Sequence, residues 1–163
     1  MSKIIFFDID GTLYDSRIGI PESTVNALNR LIANEHKIVM CTGRSKGMIP
    51  EEYFHMGFDG VILGAGTYVE YEGKILHQEL MTPEEVQTVI DWGKKQKIGI
   101  ILEGEKYGYY DLENTDDYYI AMKNKTEADC KTTLYPLNEA VDVPKWTYHH
   151  MELSKKPEIE EIL

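Results

Sequence analysis

The stretch Lys3-Ile4-Ile5-Phe6-Phe7-Asp8-Ile9-Asp10-Gly11-Thr12 decides the fold. Residues 3–7 form a short run that is mostly β-branched and aromatic, which is typical of a strand buried in a parallel sheet. The run ends in two aspartates with one residue between them. Because ligands bind beyond the carboxyl ends of strands in open parallel sheets, these aspartates are candidate site residues.

A second polar cluster follows the next predicted strand, Lys37–Cys41. It consists of Thr42, Gly43 and Arg44, which offer a hydroxyl group, an unobstructed backbone amide and a guanidinium group. These groups suit an oxyanion held at a loop that enters a helix. The sequence therefore predicts phosphate binding at this second strand end.

The first half alternates between strand and helix patterns. Helices are predicted over 21–34 and 50–56, and a third strand over Gly60–Leu63. This alternation of strands and helices indicates an α/β fold with a parallel sheet and right-handed crossovers. A hairpin is then predicted around Glu72-Gly73, with strands over 68–71 and 74–78.

The alternation of strands and helices is interrupted near Met81-Thr82-Pro83, where we place a domain boundary. Residues 1–81 form the predicted core domain and residues 82–163 a second α/β domain. Thr82 and Glu85 have the spacing of a capping box. In this second part we expect three helices: one from the Thr82 cap to about Lys97, one over 116–125 and one that begins within 157–163. Strands are predicted over 98–103 and 107–112, and a loop-rich stretch over 131–145.

Asp8 and Asp10 suggest a specific chemistry. Converging carboxylates make an oxygen-rich site suited to Mg²⁺. An aspartate can act as a covalent nucleophile, and a second carboxylate can transfer the proton of the leaving group. The simpler alternative is that both carboxylates only cap a turn.

Composition excludes several classes of protein. The chain has 163 residues and a formal net charge of -11, so its surface repels nucleic acids and anionic membranes. Neither a membrane span nor a signal peptide is evident, and we expect a cytoplasmic protein. The two cysteines, Cys41 and Cys130, form no metal-binding spacing, and the five histidines show no zinc pattern.

The two polar clusters resemble motifs of a known family. Residues 6–13 (Phe-Phe-Asp-Ile-Asp-Gly-Thr-Leu) resemble the first motif of the haloacid dehalogenase superfamily, and Cys41-Thr42-Gly43-Arg44 resembles its second. Together with Gly64-Ala65-Gly66 before a hairpin, they resemble the Cof-type sugar-phosphatase branch. This resemblance implies a Rossmann-like parallel-sheet core, here partial, with an inserted α/β cap.

The resemblance also implies roles for individual residues. Asp8 attacks phosphorus, and Asp10 protonates the leaving alcohol and then activates water. Mg²⁺ is bound by the Asp8 carboxylate and the Asp10 backbone carbonyl. Thr42 and Gly43 hold the phosphoryl group, and Arg44 binds the substrate or braces the loop. The expected partner is a small phosphorylated metabolite.

One departure from the family pattern is large. The family uses a lysine from a third motif and aspartates from a fourth, and neither motif is present here. Lys155 and Lys156 lie in the predicted second domain, so the lysine role is not carried over to them. We therefore expect the chain to be a fragment of a longer enzyme.

Several alternatives remain open at this point. Phosphomutase-type transfer is a related activity, and an inactive binding module is a different class. A receiver domain is disfavoured because the third strand ends in Leu63-Gly64 instead of an aspartate. Dinucleotide binding at Gly64-Ala65-Gly66 is disfavoured because position 69 is Val and a hairpin follows.

Overall fold

The computed structural model describes residues 1–149, which fall into two compact units. The first unit comprises residues 1–45 and 49–79, and the second comprises residues 46–48 and the described chain from Leu80 onward. The predicted helix at 157–163 lies outside the described residues. No helix within residues 1–149 has the length and apolar character needed to cross a bilayer.

The first unit is built on a five-stranded sheet with strand order β1-β2-β3-β4-β5. The first three strands are parallel and the last two form an antiparallel hairpin, as the sequence predicts. The fold class is therefore confirmed. The strands are β1 (Ile4–Phe7), β2 (Lys37–Cys41), β3 (Gly60–Leu63), β4 (Tyr68–Tyr71) and β5 (Lys74–Gln78), and the helices are α1 (Glu22–Ala33) and α2 (Glu51–Phe54).

Helix α1 packs its apolar stripe against the sheet. Leu28 of α1 is 2% exposed and lies in one cluster with Leu13 and Ile38, the last of which belongs to β2. Met40, on the same face of β2 as Ile38, packs in a neighbouring cluster with Ile9 and Tyr53. Side chains two apart on a strand lie on the same face, so Ile38 and Met40 are both buried on one face of β2. Their burial fixes the register of β2, because a shift by one residue would move both to the opposite face.

The second unit contains a four-stranded sheet with strand order β8-β7-β6-β9 and two helices. Its elements are α3 (Pro83–Gln96), β6 (Gly99–Glu103), β7 (Gly108–Tyr110), α4 (Asp117–Cys130), β8 (Leu134–Pro136) and β9 (Lys145–His149). Its main core combines Val89 and Trp92 of α3 with Ile100 and Leu102 of β6.

The stretch 131–145 is largely loop, as predicted, although it also contains β8 and leads into β9. One expectation for the second unit is corrected, because helix α4 extends to Cys130, beyond the predicted end at 125. Strand β8 is only three residues long and is defined by its pairing with β7, a long-range contact that no local pattern reports.

Candidate active site

The loop after β1 is held by one buried carbonyl group. The Ile9 oxygen accepts hydrogen bonds from the amides of Thr12, Leu13 and Tyr14 at 3.2, 3.0 and 2.8 Å. Gly11 lies in the left-handed region with φ of 79°, which a glycine adopts without strain. Ile9 is fully buried. The loop is therefore a tight turn anchored in the core.

This turn presents both aspartates of the first motif outward. Asp8 and Asp10 are exposed, whereas Ile9 between them is buried. The Thr12 hydroxyl group donates a long hydrogen bond of 3.4 Å to an Asp8 carboxylate oxygen. The Asp8 carboxylate is thus positioned by its own loop and remains accessible to a substrate.

The second predicted cluster lies beside the first because β1 and β2 are adjacent and parallel, with Phe7 paired to Met40. Thr42 is 5% exposed, and its amide donates to the Ile62 oxygen of β3 at 2.9 Å. The Thr42 hydroxyl oxygen accepts a hydrogen bond from the Arg44 amide at 3.2 Å. Thr42 therefore fixes the loop in which Gly43 and Arg44 lie.

The turn at Gly64-Ala65-Gly66 braces this loop from the third strand. The Gly64 amide donates to the Arg44 oxygen at 2.8 Å, and the Ala65 amide donates to the Thr42 oxygen at 3.2 Å. Gly64 and Ala65 both have positive φ, of 58° and 59°. The sequence shows a glycine-rich turn at this position but gives no indication that it supports the second loop.

Arg44 and Asp10 form an ion pair across the two loops. Arg44 Nε donates to Asp10 Oδ2 at 2.9 Å, and Arg44 Nη2 donates to Asp10 Oδ1 at 2.5 Å. The Arg44 side chain is 14% exposed and that of Asp10 is 52% exposed. The Arg44 guanidinium carbon lies 5.7 Å from the ring centroid of Tyr14, within the range of a cation–π contact.

The structure thus joins Asp10 and Arg44 directly, and it joins Arg44 and Thr42 within one loop. Asp8 is instead held by Thr12 of its own turn. Tyr14, Gly64 and Ala65 are parts of this site that were not predicted. Tyr14 directly follows the quoted motif, and only the tertiary structure shows its ring beside Arg44.

The fit of these residues to Mg²⁺ rests on the chemistry of their ligand atoms. Within residues 1–149 there is no cluster of three or more His, Cys, Asp or Glu residues that could hold a metal ion. Mg²⁺ commonly keeps several water ligands and takes only one or two protein carboxylates. The first loop, with its exposed Asp8 carboxylate, fits that kind of partial coordination.

Comparison with known proteins identifies relatives with similar sequences and solved structures with a similar fold. Phosphatase YwpJ from Bacillus subtilis (strain 168) is 26% identical over 129 residues, which are 78% of this chain and 42% of YwpJ. A crystal structure of a protein from Geobacillus kaustophilus HTA426 superposes with a TM-score of 0.75 at 22% identity. The sugar phosphatase BT4131 of haloacid dehalogenase subclass IIB superposes with a TM-score of 0.67 at 23% identity.

Both superpositions cover 99% of this chain but only 62% of the other chain. This chain therefore spans less than two thirds of the length of these structures, and it covers 42% of the length of YwpJ. The family model for haloacid dehalogenase-like hydrolases matches residues 5–162. On that match, together with the fold, the chain belongs to the haloacid dehalogenase-like hydrolase family.

Proposed function

We propose that this chain carries the nucleophilic part of a Mg²⁺-dependent phosphatase that hydrolyses a small phosphorylated metabolite. The observation that supports this most strongly is the exposed Asp8 carboxylate at the end of β1, next to Asp10 in the same anchored turn. Two carboxylates on one rigid turn can divide the roles of nucleophile and proton carrier. The bracing of the second loop by Gly64 and Ala65 supports a preorganised site.

The proposed reaction has two displacements at phosphorus. An Asp8 carboxylate oxygen attacks the phosphoryl group and the bond from phosphorus to the substrate oxygen breaks. For this step Asp10 must be in its protonated form, and it gives its proton to that oxygen. Asp10 then takes a proton from a water molecule that attacks the aspartyl-phosphate. Inorganic phosphate leaves and the Asp8 carboxylate is restored, so that atoms and protons balance over the cycle.

The second loop is the proposed phosphate cradle. The Thr42 hydroxyl group can donate to a phosphoryl oxygen while its oxygen accepts from the Arg44 amide. The Gly43 amide is the other proposed donor. Apart from Gly43 and its two neighbours in the chain, no described residue has an atom within 4 Å of a Cβ built on Gly43, so a side chain does not block approach to its backbone.

We propose that a bound cation offsets the negative charge around the reacting phosphoryl group. The formal net charge of the chain is -11, and the substrate is an anion. Mg²⁺ bound to the Asp8 carboxylate and the Asp10 backbone carbonyl would neutralise charge at the reacting phosphoryl group. We propose that the remaining ligands and a lysine come from the part of the enzyme for which this chain has no counterpart.

The names of relatives support a phosphatase. YwpJ is named a phosphatase and BT4131 a sugar phosphatase. This chain matches only 42% and 62% of those two proteins. We therefore propose that full activity needs a longer gene product that also carries the missing motifs, and that residues 1–163 alone have weak activity or none. A sugar phosphate is one substrate to test.

The test compares 4-nitrophenyl phosphate hydrolysis by the 163-residue chain and by the longer gene product, with and without Mg²⁺, after intact-mass measurement. Asp8→Asn should abolish turnover. Asp15→Asn is the matched control, because Asp15 lies in the same region but pairs with Arg17. Mg²⁺-dependent turnover that survives Asp8→Asn, or no turnover in either protein, would refute the proposal.

A further inference from the structure

We infer that Arg44 is a positioning residue for Asp10 and that its guanidinium does not bind the substrate phosphate. The inference rests on the proposed function, in which Asp10 carries the proton. It replaces the expectation that Arg44 binds a phosphoryl oxygen, and it assigns recognition of the phosphoryl group in the second loop to Thr42 and Gly43.

Arg44 binds both carboxylate oxygens of Asp10. Arg44 uses one edge of its guanidinium, Nε and Nη2, to donate to both oxygens of Asp10 at 2.9 and 2.5 Å. Two parallel hydrogen bonds fix the rotation and the position of the ionised carboxylate, the form of Asp10 that takes a proton from water in the proposed cycle. A single donor would leave the Asp10 side chain free to turn about its terminal torsion.

The backbone and the side chain of Arg44 are both held by neighbouring residues. Its backbone is fixed at both polar groups, because its amide donates to Thr42 Oγ1 and its oxygen accepts from the Gly64 amide. Its side chain is 14% exposed and lies beside the Tyr14 ring. A side chain held at so many points suits an orienting role better than that of a mobile substrate clamp.

A tyrosine behind Tyr14 completes this support. Tyr53 of α2 is 5% exposed, and its ring centroid lies 6.3 Å from that of Tyr14. Burial raises the pKa of the Tyr53 phenol, so it stays neutral across the working range of a phosphatase. The position of the Asp10 carboxylate is therefore supported by Arg44, with Tyr14 and Tyr53 behind it.

The same unit contains a natural control. Arg17 makes a similar contact with Asp15, in which Arg17 Nε and Nη2 donate at 3.0 and 2.7 Å. That pair joins residues two apart, and the Arg17 side chain is 85% exposed. It has the bidentate geometry without burial or a bridge between loops, and the proposed mechanism uses neither residue.

The kinetic test varies the leaving group. An alkyl phosphate needs a proton on its leaving oxygen, whereas 4-nitrophenyl phosphate releases a stable phenolate without one. We expect Arg44→Met and Arg44→Lys to lower kcat/KM for an alkyl phosphate by about 10- to 100-fold, part of the usual contribution of a general acid. The loss for 4-nitrophenyl phosphate should be much smaller, and Arg17→Met should change neither value.

Phosphate binding by Arg44 would give a different pattern. The variants would then lower kcat/KM equally for both substrates, and KM would rise together with the inhibition constant for inorganic phosphate. Arg44→Lys would retain most of the kcat/KM that Arg44→Met loses, because lysine keeps the positive charge. That result would overturn the inference. Absence of turnover in the wild-type chain and in the longer gene product would instead reject the proposed function.

A measurement independent of turnover tests the pairing itself. The chain has three arginines, Arg17, Arg30 and Arg44, so their Nε–H signals can be resolved by ¹H–¹⁵N NMR of the 163-residue protein. Loss of a signal in Arg44→Lys assigns it to Arg44. We expect that signal to shift in Asp10→Asn and to stay in place when inorganic phosphate is added. A shift with phosphate and none in Asp10→Asn would refute the pairing.

Discussion

The Gly64 amide nitrogen lies 2.8 Å from the Arg44 carbonyl oxygen and links the end of β3 to the loop after β2. Gly64 has a φ of 58°, and a Cβ added to it would lie 2.2 Å from Thr67 Oγ1. That hydroxyl group donates to the Gly64 oxygen. The turn that braces the candidate site therefore depends on the absence of a side chain at position 64.

Gly64→Ala should destabilise the first unit by about 1–2 kcal/mol, the cost of a left-handed alanine, with any cost of moving Thr67 in addition. Hydrogen–deuterium exchange of the β2 and β3 amides measures this change. The matched control is Ala65→Gly, because Ala65 already has a φ of 59° and a glycine relieves its strain. Equal destabilisation by both variants would show that φ is not the cause.

Stability should fall in acid through the Asp59 carboxylate. Asp59 accepts hydrogen bonds from Lys37 Nζ at 2.7 Å and from the Ile38 amide at 2.9 Å. The hydrogen bond from Lys37 is the main reason why the Asp59 pKa lies below its usual value. A lowered pKa adds stability above the unfolded-state pKa, and this stability is lost as the pH falls through the folded-state pKa.

We therefore expect Asp59→Asn to lower the free energy of unfolding at pH 7 and to have a shrinking effect below about pH 4, where the unfolded-state carboxylate begins to take up protons. Urea unfolding of both proteins between pH 7 and pH 3 measures the difference. Glu51→Gln, at a side chain that is 91% exposed, is the control. An effect of Asp59→Asn that is independent of pH would contradict the assigned cause.

The capping box at the start of α3 should stabilise the second unit. Thr82 Oγ1 accepts from the Glu85 amide at 3.2 Å, and Glu85 Oε2 accepts from the Thr82 amide at 2.7 Å. Thr82→Ala should cost about 1 kcal/mol. Tryptophan fluorescence during urea unfolding reports on this unit, because both tryptophans, Trp92 and Trp146, belong to it.

Thr88→Ala serves as the control for Thr82→Ala. Thr88 lies inside the same helix, and its hydroxyl group donates to the Glu84 oxygen at 2.8 Å without capping the helix end. Alanine has the higher helix propensity, so this variant should be neutral or slightly stabilising. A loss in Thr88→Ala equal to that in Thr82→Ala would mean that the cap itself contributes nothing.

Strand β1 lies at an edge of its sheet and exposes apolar side chains. Ile4 and Phe6 are 56% and 59% exposed, on the strand face opposite Phe7, which packs against the cluster around Leu28. Exposed edge strands of this kind promote association between chains. We expect the 163-residue chain to associate with rising concentration, as measured by sedimentation velocity.

Phe6→Lys should reduce that association, because an inserted charge on an edge strand opposes pairing with another strand. The control is Ile18→Lys, at a loop residue that is 69% exposed. Association that is unchanged in Phe6→Lys, or is lost equally in Ile18→Lys, would show that β1 is not the contact surface.

The sequence by itself determined the elements that local chemistry specifies. The three parallel strands are short apolar runs, the hairpin turns at Glu72-Gly73, and α3 begins with a capping box, all of which depend on residues close in sequence. The fold class and the two polar clusters at strand ends followed from these patterns. The family resemblance depended on the same local motifs.

Only the tertiary structure decided which distant side chains meet. Arg44 contacts Asp10, 34 positions away in sequence, because β1 and β2 pair in one particular register. Residues 46–48, which the sequence assigns to the domain 1–81, group with the second unit, where the Gly47 amide donates to the Gly104 oxygen at 3.2 Å and Met48 packs beside Ile101. Such contacts arise from packing between distant segments, and local propensity carries no information about them.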